Sequence, residues 1–188
     1  NGIIINADKF VYYKITNILN AEGNVEILDN INDYKIYSDD VTYFKNEEKF
    51  ITKSNSKAIN KELILTADEF EYNKNLNIIK ATNNVEFKDK IKNIILRGED
   101  VTYEKNIEKI STVGLTDAKI DEKYNFYSKN VNLDRNMMEL SSKNETQIKD
   151  NKFNLYKVRE FKYFVNDELL KGNDVEIITN TNLPIKLS

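Results

Sequence analysis

The sequence has 188 residues, enough for one domain with a sizeable core, and its 40% hydrophobic and 11% aromatic content predicts a folded chain despite 31% charged residues. The formal net charge of −3, from 28 basic and 31 acidic residues, provides no basic surface for a nucleic-acid backbone, so we expect no nucleic-acid partner. The absence of cysteine and histidine argues against disulfides, thiolate chemistry and the usual zinc sites, and no apolar run approaches the roughly eighteen residues of a transmembrane helix.

The predicted elements repeat at an offset of sixty residues, beginning near the amino terminus. Comparison of the sequence with itself at this offset requires no gap, and self-similarity at a fixed period is typical of a repeat architecture. The matching segments are Ala7–Tyr12 with Ala67–Tyr72, Asn24–Ile27 with Asn84–Phe87, and Asp40–Asn46 with Asp100–Asn106.

A weaker period of about thirty residues places an apolar residue, a small residue and two further apolar residues in the order apolar-x-small-x-x-apolar-x-apolar. The returning segment after most copies has its own small residue, as in Leu19–Ala21 and Ile79–Ala81. Because alternating apolar and polar residues are typical of strands with one buried face, the pattern predicts twelve strand-like arms joined as six hairpins. The six copies are Ile5–Tyr12, Ile36–Tyr43, Leu65–Tyr72, Leu96–Tyr103, Phe126–Leu133 and Tyr156–Tyr163.

The alternation slips at the same place in each copy. Between Ala7 and Phe10, and between Gly98 and Val101, the spacing is three residues instead of two, so a bulge or bend must lie there if both side chains point inward. We therefore predict an all-β fold, an elongated twisted β-jelly roll in which one folded antiparallel sheet of about six hairpin repeats surrounds an open hydrophobic interior. Arms stacked at about 4.8 Å give a body roughly 55 Å long with unpaired edges at both ends. We treat residues 1–188 as a single domain excised from a longer protein.

Two stretches, Ala7–Ile27 and Ala67–Phe87, resemble the OstA-like domain of the lipopolysaccharide transport (Lpt) family. Each carries Ala-Asp-x-x-x-Tyr and then a strand of the form Ala-x-x-Asn-Val-x-apolar, and Asp-Val-Thr-Tyr follows. The resemblance covers residues 3–120 and continues only in rhythm from Tyr124 onward. The family includes a soluble periplasmic bridge protein (LptA), its inner-membrane partner (LptC) and the amino-terminal periplasmic domain of the outer-membrane translocon (LptD), and the divergent last third is most similar to the translocon domain.

This resemblance implies a periplasmic conduit without enzymatic activity or cofactor, which receives the acyl chains of lipid A and passes them to an outer-membrane translocon. The implied partners are lipopolysaccharide, an LptA-like bridge protein paired end to end and, for an LptD domain, its own β-barrel and a plug lipoprotein. The implied location is the periplasm, with attachment to the outer membrane through that barrel. The residues predicted to line the lipid-binding groove are Phe10, Val25, Ile27, Ile36, Val41, Phe70, Val85, Phe87, Leu96 and Val101.

Two recurring residue types allow other interpretations. The acids Asp8, Asp40, Asp68 and Asp100 suggest catalysis or calcium binding, but a position beside the predicted bend favours hydrogen bonds to the free backbone donors of a bulge. The tyrosines Tyr12, Tyr43, Tyr72 and Tyr103, each with an apolar body and a polar tip, are expected at strand ends, and the alternative is a position at the mouth of the groove.

Two other classes of protein remain open at this point. One is a parallel β-helix, as in polysaccharide-cleaving enzymes or surface adhesins, whose rungs also contain about thirty residues. The other is a structural module that polymerises edge to edge, for which a tightly closed core and no lipid affinity are expected.

Overall fold

The computed structural model describes residues 2–31, 33–181 and 184–187, and this part of the chain is almost entirely strand. A single 3-10 turn, Lys105–Ile107, lies between the eighth and ninth strands. The strands are β1 (Ile3–Asn6), β2 (Lys9–Tyr13), β3 (Ile18–Asp29), β4 (Tyr34–Phe44), β5 (Lys49–Ile59), β6 (Leu63–Asn73), β7 (Ile78–Asp89), β8 (Ile94–Glu104), β9 (Lys109–Ile120), β10 (Tyr124–Lys129), β11 (Asn132–Asp134), β12 (Glu139–Ser142), β13 (Thr146–Asp150), β14 (Leu155–Val158), β15 (Glu160–Phe164), β16 (Leu169–Asn173), β17 (Val175–Ile178) and β18 (Pro184–Leu187).

The strands form one long sheet whose pairings are all antiparallel and follow the order of the chain. Strands β1 and β2 together form the first arm, β3 to β9 form seven arms, and β10–β11, β12–β13, β14–β15 and β16–β17 form the last four. The predicted all-β fold with twelve arms is therefore confirmed. The parallel β-helix is wrong, because hairpins, not crossovers, connect the arms. Strand β18 is an additional half-length strand on β17 that the sequence pattern did not predict.

Each arm bends near its middle, and the aligned bends form a crease that divides the sheet into two half-sheets. In the pairings from β3–β4 to β8–β9 the bend is a register shift, for example between Glu22 and Val25 or between Thr82 and Val85. In the later arms the chain breaks into two strands at the same level. Half-sheet A contains β2, β11, β12, β15 and β16, half-sheet B contains β1, β10, β13, β14, β17 and β18, and β3 to β9 run through both.

The aspartates of the repeat lie at this crease, but their partners differ from the prediction. Asp8 Oδ2 accepts a hydrogen bond from Asn24 Nδ2 at 2.8 Å, and Asp68 Oδ2 accepts one from Asn84 Nδ2 at 2.9 Å. The expected backbone donors of the bulge are therefore wrong for these two residues. Both asparagines have left-handed backbone conformations (φ 48° and 53°), which asparagine tolerates better than most residues and which make the bend possible.

The inner side of the crease carries small and hydroxylated residues, since a bend leaves little room between its two limbs. Some hydroxyls also accept a hydrogen bond from a buried backbone amide, as Thr52 Oγ1 does from Phe70 N and Thr112 Oγ1 does from Val131 N, both at 2.9 Å. These bonds satisfy polar groups that water does not reach. The buried hydroxyl pairs are Thr52–Ser56 (2.5 Å), Thr112–Thr116 (2.6 Å) and Ser128–Thr146 (2.7 Å).

The hydrophobic core lies between the two half-sheets and extends as one cluster from Ala21 to Val165. Large side chains fill the space between the crease and the hairpin tips. Aromatic rings meet across it: the centroid of Phe126 lies 5.1 Å from that of Phe161, and the centroid of Phe87 lies 5.9 Å from that of Tyr103. The side chains of the protein itself thus occupy the interior.

Candidate binding interior

Nine of the ten residues predicted to line the groove belong to this core, with 0–3% of their surface exposed. They face inward from both half-sheets. The tenth, Phe10, is 47% exposed because it lies on β2, in the first arm of the sheet. The nine buried residues are Val25, Ile27, Ile36, Val41, Phe70, Val85, Phe87, Leu96 and Val101. Their contact with lipid remains a prediction.

The interior continues into the last third of the chain, from which no lining residue was predicted. Phe126 is fully buried, and its ring lies 5.3 Å from that of Tyr163 between centroids, in addition to its contact with Phe161. These three residues occupy apolar positions of the fifth and sixth copies of the thirty-residue motif. The motif could therefore have identified them, although this part of the sequence does not share the family resemblance.

Opposite the crease, the hairpin tips of half-sheet A meet those of half-sheet B along a line that we call the mouth. Tyr72, near the end of β6 in half-sheet A, donates a hydrogen bond of 2.9 Å to Asp29 Oδ2 at the end of β3 in half-sheet B. Asp29 Oδ1 accepts from the backbone of Ile31 and so caps its own tip. Nearby, Lys105 Nζ lies 4.4 Å from the ring centroid of Tyr34, a cation–π contact between the two half-sheets.

Arg135 has the most polar contacts across the mouth. It lies in the tip between β11 and β12 of half-sheet A, and its Nε donates to Asp89 Oδ2 and its Nη2 to Glu62 Oε2, each at 2.9 Å, in half-sheet B. Its Nη1 pairs with Glu108 in the adjacent tip of half-sheet A. The side chain of Asp89 is fully buried and that of Arg135 is 11% exposed. Desolvation disfavours the guanidinium charge, but hydrogen bonds to Glu62 and Asp89 outweigh it and raise the pKa of Arg135.

Three aspartates at the ends of β3, β7 and β13 mark the mouth at regular intervals. The Oδ1 atoms of Asp29, Asp89 and Asp150 all accept backbone hydrogen bonds within their own tips. The first two also bond across the mouth, through Tyr72 and Arg135. Asp150 instead accepts from Tyr156 at 3.0 Å in its own half-sheet. At this end of the mouth, side-chain hydrogen bonds from Lys92 to Asn166 and from Lys123 to Glu168 join the two half-sheets.

No protein-family model matches the sequence, and no curated protein matches it. Among solved structures, the fold is similar to the crystal structure of LptH from Pseudomonas aeruginosa, described as the LptA-homologous periplasmic component of the conserved lipopolysaccharide transport device. The TM-score is 0.52 at 14% sequence identity, over 57% of this chain and 79% of LptH. The chain has an LptA-like fold. The likeness is one of structure, since the identity is too low to establish more.

The four recurring tyrosines lie where the LptA-like sheet reaches the mouth in half-sheet A. Each is the penultimate residue of its strand, as expected. Tyr103 donates to both carboxylate oxygens of Glu108 at 3.1 Å. Tyr43 stacks on Phe50 with centroids 4.2 Å apart, and burial raises its pKa to about 12. Tyr12, on the first arm, is exposed and donates to a neighbouring side chain.

The outer face of half-sheet B carries a cavity of about 1120 Å³. A row of outward-facing side chains from successive strands lines it, and most of its charges are paired. Arg97 bonds Glu86 at 2.8 Å, and Lys157 bonds Glu176 at 3.3 Å. The charged side chains of this cavity therefore largely neutralise one another.

The two ends of the LptA-like sheet differ. At the first end, β1 and β2 pair only with β3 among the described residues, and Ile4, Phe10, Tyr12, Tyr13 and Ile15 are 45–100% exposed. At the other end, β18 covers β17 in half-sheet B, while β16 in half-sheet A pairs only with β15 in the same described part of the chain. Both ends thus present strand edges with free backbone hydrogen-bonding groups, which can accept a further strand.

Within residues 2–31, 33–181 and 184–187, no group of three acidic side chains is arranged to hold a metal ion. The same residues contain no helix long and apolar enough to cross a membrane.

Proposed function

We propose that the chain is a periplasmic conduit that holds the acyl chains of lipopolysaccharide between its two half-sheets and passes them toward an outer-membrane translocon. The observation that carries this proposal is the continuous apolar interior of an LptA-like fold. The lining residues in this proposal are the ten predicted from the sequence, together with Phe126, Phe161 and Tyr163 from the last third of the chain.

The physical basis of this binding is the burial of acyl chains against a hydrophobic wall that has no specific polar groups. Each methylene that leaves water gains about 0.8 kcal/mol. A wall made of similar side chains repeated in every arm provides many positions of nearly equal energy, so an acyl chain can move along it without a high barrier. The sugars and phosphates would remain in water. Directed movement would then depend on an energy source elsewhere, and this domain would act passively.

The strand edges at both ends support a second part of the proposal, end-to-end pairing with an LptA-like bridge protein. The exposed apolar residues of β1 and β2 would be covered in such a pair. We also propose that the chain is the amino-terminal domain of an LptD-type translocon, with its own β-barrel and a plug lipoprotein as further partners and attachment to the outer membrane. The divergent last third of the sequence supports this choice of member.

Photo-crosslinking to purified lipopolysaccharide tests the conduit directly. We would place benzoylphenylalanine at Phe126, which is fully buried, and at Tyr127, which is 43% exposed on the opposite face of the same strand. A second matched pair is Phe87 and Glu86. Capture at the inward member of each pair alone is the expected result. Equal capture at inward and outward positions, or none at all, would contradict the conduit.

The closed interior favours one other function, a structural module that polymerises through its edges and binds no lipid. In that case the photo-crosslinker would capture no lipopolysaccharide, and the chain would form concentration-dependent polymers that lysine substitutions on β2 abolish. Sedimentation velocity over a range of protein concentrations distinguishes the two functions, provided that it is run with and without lipopolysaccharide.

A further inference from the structure

The two long boundaries of the interior are built differently. At the crease the chain itself passes from one half-sheet to the other in β3 to β9, so that boundary is covalent. At the mouth, the contacts between the half-sheets among the described residues are made by side chains. They include Tyr72–Asp29, Arg135–Asp89, Arg135–Glu62, Lys105–Tyr34, Lys92–Asn166 and Lys123–Glu168, and the ring pairs Tyr34–Tyr72 and Tyr124–Tyr163. The mouth is therefore the boundary that can part without breaking the sheet.

Entry from an end of the empty interior starts against closed packing. Core side chains are buried continuously from Ala21 to Val165, so the first arms would have to part before an acyl chain reaches the wall along which it can move. Entry from the side requires separation of the half-sheets at one level only. In the middle of the chain, that level is held by Arg135, whose guanidinium bridges both half-sheets.

The three carboxylates that pair with Arg135 differ in solvent exposure, as expected for a closure that can open and form again. Glu62 is 58% exposed, Glu108 is 28% exposed and Asp89 is fully buried. Water can replace Glu62 at little cost, because exposed ion pairs contribute little, whereas Glu108 lies in the same half-sheet as Arg135 and its pair need not break when the mouth opens. Separation from Asp89 costs more, since it would leave a buried carboxylate without its cation. The innermost contact thus decides whether the mouth stays closed.

We propose that acyl chains enter the interior sideways through the mouth, and that Arg135 acts as the latch that keeps the mouth closed when the interior is empty. This inference rests on the proposed function. It assigns to Arg135, Asp89 and Glu62 a role in access to the interior, and it leaves the ends of the sheet for pairing with other proteins.

The test is a covalent bridge across the mouth. The natural chain has no cysteine, so the double variant Lys92→Cys/Asn166→Cys places the only two thiols on opposite sides of the mouth, where Lys92 Nζ and Asn166 Oδ1 are 3.3 Å apart. A short bismaleimide then links them. The control is Glu86→Cys/Arg97→Cys, a cross-strand pair on the outer face of half-sheet B that does not span the mouth.

The measurement is the association rate of fluorescently labelled lipopolysaccharide with each 188-residue chain, before and after crosslinking. We expect the bridge at Lys92 and Asn166 to slow association by at least about tenfold, because Lys92 lies in the same hairpin tip as Asp89 and the bridge holds that tip closed at the level of Arg135. The crosslink in the control pair should leave the rate unchanged. The variant Arg135→Met/Asp89→Asn, which removes both charges together, should associate about threefold faster or more than the natural chain.

The outcomes separate this inference from the function on which it rests. Binding at an unchanged rate in the bridged chain would overturn side entry at the level of Arg135 and leave the conduit intact, with loading at another place. Failure of the unmodified chain to bind labelled lipopolysaccharide would overturn both. An unchanged rate in Arg135→Met/Asp89→Asn, with slow binding in the bridged chain, would overturn the role of Arg135 as the latch but not the route.

Discussion

Replacement of Arg135 by alanine should destabilise the fold far more than loss of an ordinary surface ion pair. The substitution removes the cation from Asp89, whose side chain is fully buried, and removal of one partner from a buried pair costs about 3–5 kcal/mol. Asp89 keeps two backbone hydrogen bonds, from Ile91 and Lys92, and Glu62 is mostly exposed, so we expect the lower end, about 3 kcal/mol. For a chain of this length that corresponds to a fall in melting temperature of about 6–12 °C.

Urea denaturation followed by circular dichroism measures the free energy of unfolding, with Arg97→Ala as the matched control. Arg97 also pairs with a glutamate at 2.8 Å, but both side chains are 40–46% exposed, so its loss should cost less than about 1 kcal/mol. The double variant Arg135→Met/Asp89→Asn should recover most of the lost stability, because no unpaired charge stays buried. Equal effects of Arg135→Ala and Arg97→Ala would refute the assignment of Arg135 as a buried closure of the mouth.

Three further predictions concern the crease, the core and the first arm. Thr52→Val removes the acceptor for the buried amide of Phe70 and should cost about 1–3 kcal/mol in urea denaturation. Burial raises the pKa of Tyr43 and of Tyr163 to about 12, above an unfolded value of about 10, so the stability from keeping both protonated is complete below pH 10 and is lost as the pH rises toward 12. Unfolding at fixed urea should therefore become easier across that interval. Phe10→Lys on the exposed first arm should weaken self-association in sedimentation velocity, because a charged edge opposes strand pairing.

Each of these three predictions has an outcome that would contradict it, and the first also has a matched control variant. Thr42→Val, on the outer face of β4, should change the free energy of unfolding by less than about 0.5 kcal/mol, and an equal loss in both threonine variants would contradict the role of the buried hydroxyl. A free energy of unfolding that stays level from pH 10 to 12 would contradict the burial argument for the tyrosines. If self-association is unaffected by Phe10→Lys but reduced by a lysine on β16, the edge that pairs is β16, at the other end of the sheet.

Much of the fold could be predicted because one pattern of apolar and polar residues is repeated along the sequence. Apolar positions such as Phe70 and Val101 recur at fixed spacing, and the extra residue after Gly98 recurs with them, so both the strands and the crease were visible in the sequence. A single copy would have left the bend ambiguous, since a one-residue slip reverses the face of every following side chain. Strand β18 has no counterpart in the repeat, and its pairing with β17 was not predictable from the pattern.

The closure of the mouth could not be predicted from the same pattern. Arg135 meets Asp89 and Glu62, which precede it by 46 and 73 residues, and these contacts depend on how the two half-sheets fold toward each other. The sixty-residue offset places Asn75 at the position of Arg135, so the repeat does not mark the arginine. The packing of the interior could not be predicted for a similar reason. The angle at the crease depends on the combined volume of side chains from all the arms.

The sequential pairing of the arms has a consequence for how the protein can vary in size. Every arm contacts chiefly the one before it and the one after it, so the free energy of the sheet is close to a sum of neighbour terms, as in other repeat arrays. Duplication of two hairpins inserts sixty residues and four arms while the remaining arms keep their contacts. Since each arm adds about 4.8 Å, the number of arms determines the length of the interior independently of its cross-section.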